Sequence, residues 1–541
     1  MKVRRFVAGL ALPVAVAVVV AACGSGTPDT SAEATDGGTV TIGIAEPEHL
    51  VPSDTVENNG SQILAALFTP LVQFDDHGKP DFTNAAAESI TSDDSRVWKV
   101  KLKDGFTFHN GERVTADSYI NAWNYGAYAP HAQIGSDFYS RIDGAEALQP
   151  RPGRDKPAST KLSGLHKVDD LNFTVTLSKP FAEWQKVLGY SVFLPLPAAA
   201  FAGDGTLAKG YEEAPIGDGP FKMKGAWNHN QSISLERYEA YPLAKPKVQE
   251  IDFKIYDNQD TMYADLQAGN LDIQPQIPSD KLAGAQIDLG DRLQKSPSSY
   301  IGYITMPYYI KAYDDPRLRR AISMAIDRQE IVDKIFQGAY TPANSWVSPI
   351  VQGARDNSCG DACKFNPSAA RTLYQQSGGL PGNKIDLFYN GDGGHKEWVD
   401  AVCIQLHRNL GVTCNGQPIA QFADFRKRVR SHTQPGLERG AWSFDYPSIE
   451  DYLTPIFKTG ASSNDAQYAN PDFDKLLAQA DAAKSPDEAI KLYQSAEDMV
   501  AKDMPTIPMW FRQNITGYSE NIKTVNVNLF AQVDVLTLER S

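Results

Sequence analysis

The chain has 541 residues, with 52 Lys and Arg against 66 Asp and Glu, and its formal net charge at pH 7 is −14. This acidic balance argues against nucleic acid or an anionic lipid surface as a partner, because like charges repel. The length exceeds what one hydrophobic core supports, so two or three lobes are expected.

The N-terminus predicts export. Lys2, Arg4 and Arg5 precede an uncharged run that ends in small residues before Cys23. This pattern is typical of a secretory signal at residues 1–22, followed by a flexible tether at 23–37. An uncleaved membrane anchor is the alternative, but no basic stop-transfer segment follows the run. Cleavage would leave 519 residues with a formal charge of −17.

Strand and helix patterns alternate through the first half of the chain. Residues 38–45 alternate as a strand, and 62–71 form a short apolar helix. Residues 97–108 predict a hairpin that turns at Asp104-Gly105, and Thr115 then caps a helix. His109 beside Asn110-Gly111 is interpreted as a turn residue. Three further strands are predicted at 173–177, 232–237 and 251–256, and a helix is predicted at 261–268.

The most regular helix signals lie in the second half. Asp315 precedes Pro316 at a helix start, and Asp327 caps a second helix with Glu330 three residues on. Further helices are predicted at 397–410, from Pro471 and after Ser485, and a strand at 505–511. Because helices and strands interleave without an internal repeat, the sequence predicts an α/β protein.

Four cysteines remain beyond Cys23, and they are Cys359, Cys363, Cys403 and Cys414. In an exported chain they allow three disulfide connectivities, and the spacing favours the local pairs 359–363 and 403–414. A zinc site is the alternative, but no histidine lies at a matching spacing.

Asp445 stands between two aromatic residues in the stretch 439–452. A carboxylate in such surroundings has lost part of its water, and a cation, a metal or several donors must compensate. Two interpretations remain open. Asp445 caps the turn at 447–449, or it anchors a ligand.

Signatures of catalysis are missing from the sequence. It contains no HExxH, GxSxG, Walker or EF-hand motif, and residues 391–394 lack the alternating oxygen ligands of a calcium loop. No enzymatic activity, cofactor or metal is therefore predicted.

Three stretches, at 97–123, 315–343 and 442–457, resemble the family 5 extracellular solute-binding proteins, the oligopeptide- and dipeptide-binding receptors of ABC importers. The resemblance runs from about Gly38 to the C-terminus. It implies an α/β, three-lobed, periplasmic-binding-protein-like fold of type II with an extra inserted domain, in which two lobes close over a central ligand cleft. The implied domains are I (38–68, 186–298 and 511–541), II (69–185, the insertion) and III (299–510).

The resemblance also implies a function. The chain would be a substrate-binding lipoprotein that captures short peptides, added as a strand between the lobes, and delivers them to the permease and ATPase of an ABC importer. The segment ending in Cys23 resembles a lipobox, which implies diacylation of Cys23 and anchoring at the outer face of the cell membrane. A monomer is expected.

Three alternatives to a peptide importer remain open. The chain could bind a sugar, a metal chelate, haem or an opine, or it could sense peptides without coupling to import. An exported hydrolase is the third alternative.

Site residues follow from the same resemblance. Asp445 matches the carboxylate that receives the α-amino group of the peptide, and strand residues that include Trp442 and Ser443 would pair with its main chain. Glu46 lies in the facing segment 44–48. Three basic residues match the partners of the ligand carboxylate, and they are Arg439, Arg430 and His395. The sequence departs from the family pattern at two places. Ser448-Ile449 stands where Asp-Pro is frequent in the family, and the segment 431–438 also differs from the usual family sequence.

Overall fold

The computed structural model describes residues 37–150 and 156–541. The predicted signal segment 1–22, Cys23 and nearly all of the tether at 23–37 lie outside the described residues. Within the described part, helices and strands interleave, and the predicted α/β class is confirmed. None of the described helices is both long and apolar enough to cross a membrane.

The described α-helices are α1 Asn58–Leu67, α2 Ala116–Ala127, α3 Trp184–Val187, α4 Gln259–Gln267, α5 Leu282–Leu289, α6 Pro316–Met324, α7 Arg328–Lys334, α8 Pro367–Gln376, α9 Lys396–Leu410, α10 Phe422–Arg430, α11 Glu450–Phe457, α12 Pro471–Asp481 and α13 Pro486–Asp503. The described strands are β1 Gly37–Ile44, β2 Gln73–Phe74, β3 Pro80–Asp81, β4 Ala87–Ser92, β5 Val97–Leu102, β6 Leu165–Lys167, β7 Asn172–Thr176, β8 Phe221–Met223, β9 Ser232–Arg237, β10 Val248–Ile255, β11 Ile273–Gln274, β12 Leu293–Thr305, β13 Tyr340–Pro342, β14 Lys384–Asn390, β15 Thr413–Ile419, β16 Leu437–Trp442, β17 Thr506–Tyr518, β18 Ile522–Thr524 and β19 Glu539–Arg540.

Helix starts follow the predicted capping chemistry. The Asp315 side chain accepts a hydrogen bond from the Arg317 amide, and Pro316 occupies the first position of α6. Asp327 caps α7 in the same way, through the Glu330 amide. These contacts satisfy amide groups that have no partner inside the helix, so local sequence suffices to place both starts.

Two local predictions were wrong. Residues 106–108 do not form the second strand of a hairpin, because β5 already pairs with β4 on one edge and β7 on the other. The alternation there reflects burial, since Phe106 and Phe108 lie in the core. The first helix begins at Asn58 instead of residue 62, because the Glu57 side chain caps it.

One large mixed sheet organises the described chain. Its strand order is β15-β14-β16-β12-β17-β11-β1-β10-β9-β8, with β13 beside β17. A separate four-stranded antiparallel sheet has the order β4-β5-β7-β6. Strands β12 and β17 have 13 residues each and form an antiparallel pair along most of their length. This strand pair is called the central crossing below.

Two main hydrophobic cores lie on either side of this crossing. One gathers side chains mainly from residues 40–273 together with the C-terminal segment 518–538, including Trp123 and Trp184, and the other gathers side chains mainly from residues 301–511, including Trp346 and Tyr452. The domain boundaries given above remain a prediction.

Both local disulfide pairs are present. Cys359 and Cys363 are bonded with 5.7 Å between their Cα atoms, and Cys403 and Cys414 with 4.8 Å. The second bond ties α9 to β15. Gly411 makes the return possible, because it ends α9 in the left-handed conformation with φ of 76°.

The glycine-rich segment at 216–219 closes the end of α1. The Gly219 amide donates a hydrogen bond to the Leu67 carbonyl at 2.8 Å, and the fully buried Asp218 accepts one from Thr69 at 3.1 Å. A Cβ added at Gly217 would lie 1.8 Å from the Leu67 carbonyl oxygen. Backbone therefore packs directly on backbone here.

We expect Gly217→Ala to lower the free energy of unfolding by about 1–3 kcal/mol, because the new methyl group must displace backbone atoms. Thermal unfolding followed by circular dichroism measures the change. Gly203→Ala is the matched control, since a Cβ there meets no atom within 4 Å. Equal melting temperatures for the two variants would contradict this account.

Candidate ligand-binding site

The first feature of the site is a free strand edge. Strand β16 pairs with β12 from Glu438 to Trp442, but β14 pairs only with Leu437 and Glu438 on its other edge. In the described part of the chain, the second edge of β16 therefore has no strand partner from residue 439 to 442. Such an edge presents main-chain donors and acceptors to an incoming strand.

Asp445 follows this edge by three residues and lines a cavity of about 220 Å³. Its side chain is partly buried, and no donor among the described residues hydrogen-bonds to its carboxylate. The turn at 447–449 is closed instead by Ser448, whose amide donates to Tyr446 and whose hydroxyl accepts from the Glu450 amide. Among the described residues, no hydrogen bond therefore supports the interpretation that Asp445 caps this turn.

A second buried carboxylate lies directly behind Asp445. Asp451 is 2% exposed, and its Oδ2 accepts hydrogen bonds from the Asp445 amide at 2.9 Å and the Trp442 indole at 3.2 Å. Burial raises the pKa of Asp445 to about 6. The pKa of Asp451 is raised further, by burial and then by the charges of Asp445 and Glu450. A cation at Asp445 would relieve this cost.

Glu450 connects the site to the four-stranded-sheet side of the molecule. Its Oε1 pairs with Arg141 at 3.0 Å, and Tyr446 donates a hydrogen bond to its Oε2. Arg141 also stacks on Phe181 at 3.8 Å. Glu450 is therefore already neutralised within the chain, whereas Asp445 is not.

A basic group lies at the start of the free edge. The Arg439 guanidinium donates to Asn390 Oδ1 at 2.8 Å from Nε and stacks over Phe422 and Phe425 at 5.2 and 5.3 Å. No carboxylate of the described residues lies within ion-pairing distance of it. Burial lowers the pKa of Arg439. The contacts that hold its guanidinium in place are with neutral groups, namely one amide oxygen and two aromatic rings.

His395 lies beside this arginine. Burial and the charge of Arg439 lower its pKa to about 4, so the ring is neutral at pH 7. The Trp398 indole donates to His395 Nδ1 at 3.1 Å, which leaves the proton on Nε2 as a hydrogen-bond donor. Arg439 and His395 together offer donors to an anion.

The other proposed site residues have different surroundings. Glu46 already binds its own chain, because Oε1 contacts His229 Nδ1 at 2.8 Å and Oε2 accepts from the Asn230 amide at 2.9 Å. Arg430 is exposed at the end of α10, with no side-chain hydrogen bond or ion pair in the described part. Ser443 is exposed and lines the Asp445 cavity. The ligand roles of these residues remain predictions.

Sequence reasoning missed Arg512. This side chain of β17 lines the same cavity as Asp445. The available signal was a charged residue directly after the apolar run Pro508 to Phe511 of the same strand. A larger cavity of about 850 Å³ adjoins the small one and shares five lining residues with it, namely Ala65, Phe68, Pro70, Gln73 and Asn528.

Asp445→Asn should make the ligand-free protein more stable at pH 7. Because the folded-state pKa of Asp445 lies above the ordinary value, the folded protein binds the proton more tightly between about pH 4 and pH 6. The wild-type free energy of unfolding therefore falls as the pH rises through this window. In Asp445→Asn, this decrease in the free energy of unfolding is absent. The variant should therefore be more stable than the wild type at pH 7 by about 2 kcal/mol, a value reduced to allow for the partial exposure of the side chain.

Chemical denaturation at pH 4 and pH 7 measures this difference. The gain should be present at pH 7 and nearly absent at pH 4. Asp291→Asn is the control, since Asp291 is exposed. A gain of the same size at both pH values would show that ionisation of Asp445 is not its cause.

Comparison with known proteins places the chain in a family. Residues 81–464, more than half of the chain, match "Bacterial extracellular solute-binding proteins, family 5 Middle". The oligopeptide-binding protein OppA of Bacillus subtilis is 27% identical over 530 residues, with 94% of each chain covered.

Solved structures show the same fold. The unliganded open form of the periplasmic murein tripeptide binding protein MppA superposes with a TM-score of 0.80 at 22% identity, over 93% of this chain and 98% of that one. OppA of Haemophilus influenzae in complex with the peptide RPPGFSPFR has a TM-score of 0.71 at 22% identity, with 93% and 99% covered. The expected multi-domain type II fold of solute-binding proteins is thereby confirmed. The chain belongs to the bacterial extracellular solute-binding proteins of family 5.

Proposed function

We propose that this protein captures short peptides outside the cytoplasm and delivers them to the permease and ATPase of an ABC importer. The observation that carries the proposal is the free edge of β16 at 439–442, with the unpaired guanidinium of Arg439 at its start and the unpaired carboxylate of Asp445 beyond its end. Relatives named oligopeptide-binding proteins support it.

A peptide fits each part of this arrangement. Its main chain would add to the edge of β16, which supplies affinity without regard to sequence. Its α-amino group would meet Asp445, and a charge-assisted hydrogen bond there contributes about 1.5–3 kcal/mol. Its carboxylate would meet Arg439 and the Nε2–H of His395.

The separation of the two charges supports a short ligand. Arg439 and Asp445 are six residues apart, and six residues of extended chain span at most about 20 Å. A bound strand rises about 3.4 Å per residue, so an extended peptide of about six residues is the longest that both charges hold at once.

Closure would occur about the crossing strands. Strands β12 and β17 carry the chain between the two cores, so we propose the hinge there, with 69–185 as the inserted domain II. Diacylation of Cys23 would keep the monomer at the outer face of the membrane, close to the permease. No catalytic step belongs to this function.

Mass spectrometry of the protein purified without denaturation tests the proposal directly, and we expect co-purified peptides. In titrations with a tripeptide, Asp445→Asn should weaken binding at least tenfold, because breaking a buried charge pair costs roughly 2–5 kcal/mol. N-acetylation of the peptide should weaken binding to the wild type equally, but should have little further effect on the variant. Equal affinity of the wild type for free and acetylated peptides would contradict the role of Asp445.

The carboxylate end has its own test. Arg439→Gln should reduce the affinity for a peptide with a free carboxylate at least tenfold, and should change the affinity for the C-terminal amide much less, since the amide carries no charge to pair. Arg428→Gln is the matched control, because Arg428 is exposed and is not a proposed ligand residue, and Arg430→Gln tests the competing assignment. If Arg430→Gln removed the discrimination and Arg439→Gln kept it, the two assignments would have to be exchanged.

A further inference from the structure

Arg512 occupies an unusual place in the large sheet. It lies midway along β17, where Phe511 pairs with Ile301 of β12 and Gln513 pairs with Pro297. Residues 298–300 of β12 thus stand opposite one residue of β17. Such an irregularity leaves main chain unpaired and redirects neighbouring side chains, here at the crossing between the two cores.

The charge of Arg512 has no counter-ion in the described part of the chain. Its Nε is buried without a hydrogen-bond partner, and no Asp or Glu lies within ion-pairing distance. Among residues 37–150 and 156–541, its one ring contact is with Tyr300, 5.3 Å from the guanidinium carbon to the ring centroid. A buried donor without a partner costs about 1–3 kcal/mol, and a ligand group in the cavity could remove that cost.

The cavity itself indicates which partner fits. Among its lining residues, Asp445 and Arg512 are the two charged ones, and the others are apolar or neutral polar. The two opposite charges do not pair with each other although they face the same space of about 220 Å³. This space therefore suits a small group that carries a cation and an anion a few bonds apart.

We infer that Arg512 is a specificity-determining residue, which binds a carboxylate that the ligand carries close to its α-amino group. The inference rests on the proposed function, in which Asp445 takes the amino group. Two sources can supply such a carboxylate. One is an acidic side chain on the first residue of a peptide, and the other is the C-terminus of a dipeptide. Guanidinium pairs with a carboxylate through two parallel hydrogen bonds, which makes the selection geometric as well as electrostatic.

Calorimetric titration with matched peptides tests this selection in the wild-type protein. Glu-Ala-Ala should bind at least tenfold more tightly than Gln-Ala-Ala if a side-chain carboxylate is the partner. Ala-Ala should bind at least tenfold more tightly than Ala-Ala-amide if the partner is the dipeptide terminus. Absence of discrimination in both pairs would overturn the inference.

Variants connect the discrimination to Arg512. Arg512→Gln should abolish the preference and leave Gln-Ala-Ala affinity within about threefold, whereas Arg512→Lys should keep part of it. Arg428→Gln, at an exposed residue outside the cavity, should keep all of it. A preference that survives Arg512→Gln would overturn the assignment. Thermal unfolding of each variant checks the fold. The Glu-Ala-Ala and Gln-Ala-Ala pair in the wild type remains decisive for the side-chain carboxylate even if Arg512→Gln does not fold, and Arg512→Lys then tests the dipeptide terminus, since Arg439 also recognises a C-terminal carboxylate in the proposed function.

The outcome separates this inference from the proposed function. If the wild type binds Gln-Ala-Ala but does not discriminate, the specificity role of Arg512 fails and peptide capture stands. If the wild type binds none of the four peptides, peptide capture fails and the role of Arg512 fails with it.

Discussion

The site depends on a partly buried carboxylate that has no hydrogen-bond or ion-pair partner among the described residues. Asp445 is held by the segment after β16 against Asp451, which uses its own oxygen to fix the Asp445 amide and the Trp442 indole. The chain thereby positions an anion that no cation of the described residues neutralises. In the proposed function, the α-amino group of the ligand would supply that cation.

Neutral groups hold the basic side of the site. Arg439 is placed by the side-chain oxygen Oδ1 of Asn390 and two phenylalanine rings, so its position is fixed while its charge stays available. Two other buried carboxylates are paired within the chain, Glu450 with Arg141 and Glu497 with Arg355. Asp445 and Arg439 differ from these pairs, because neither has an ion-pair partner among the described residues.

The long strands β12 and β17 join these features. They bring β16 beside the central crossing, and the irregularity at 298–300 opens the sheet next to Arg512. The cavity that holds Asp445 and Arg512 is lined by residues of both cores, and Arg439 lies at the start of the free β16 edge that precedes Asp445. A ligand bound there would contact both sides, which is the condition for binding energy to drive closure.

Local sequence determined the helix caps at Asp315 and Asp327, the pairing of nearby cysteines and the α/β class, because each depends on neighbours within a few residues. The hypothesis that Asp445 anchors a ligand also came from local sequence, namely from its flanking aromatic residues. Only the tertiary structure decided that 106–108 pack as core instead of a strand, that Glu46 is engaged by His229, and that Arg512 faces Asp445 across one cavity. These outcomes depend on strand edges and charges supplied by distant segments, which no local pattern records.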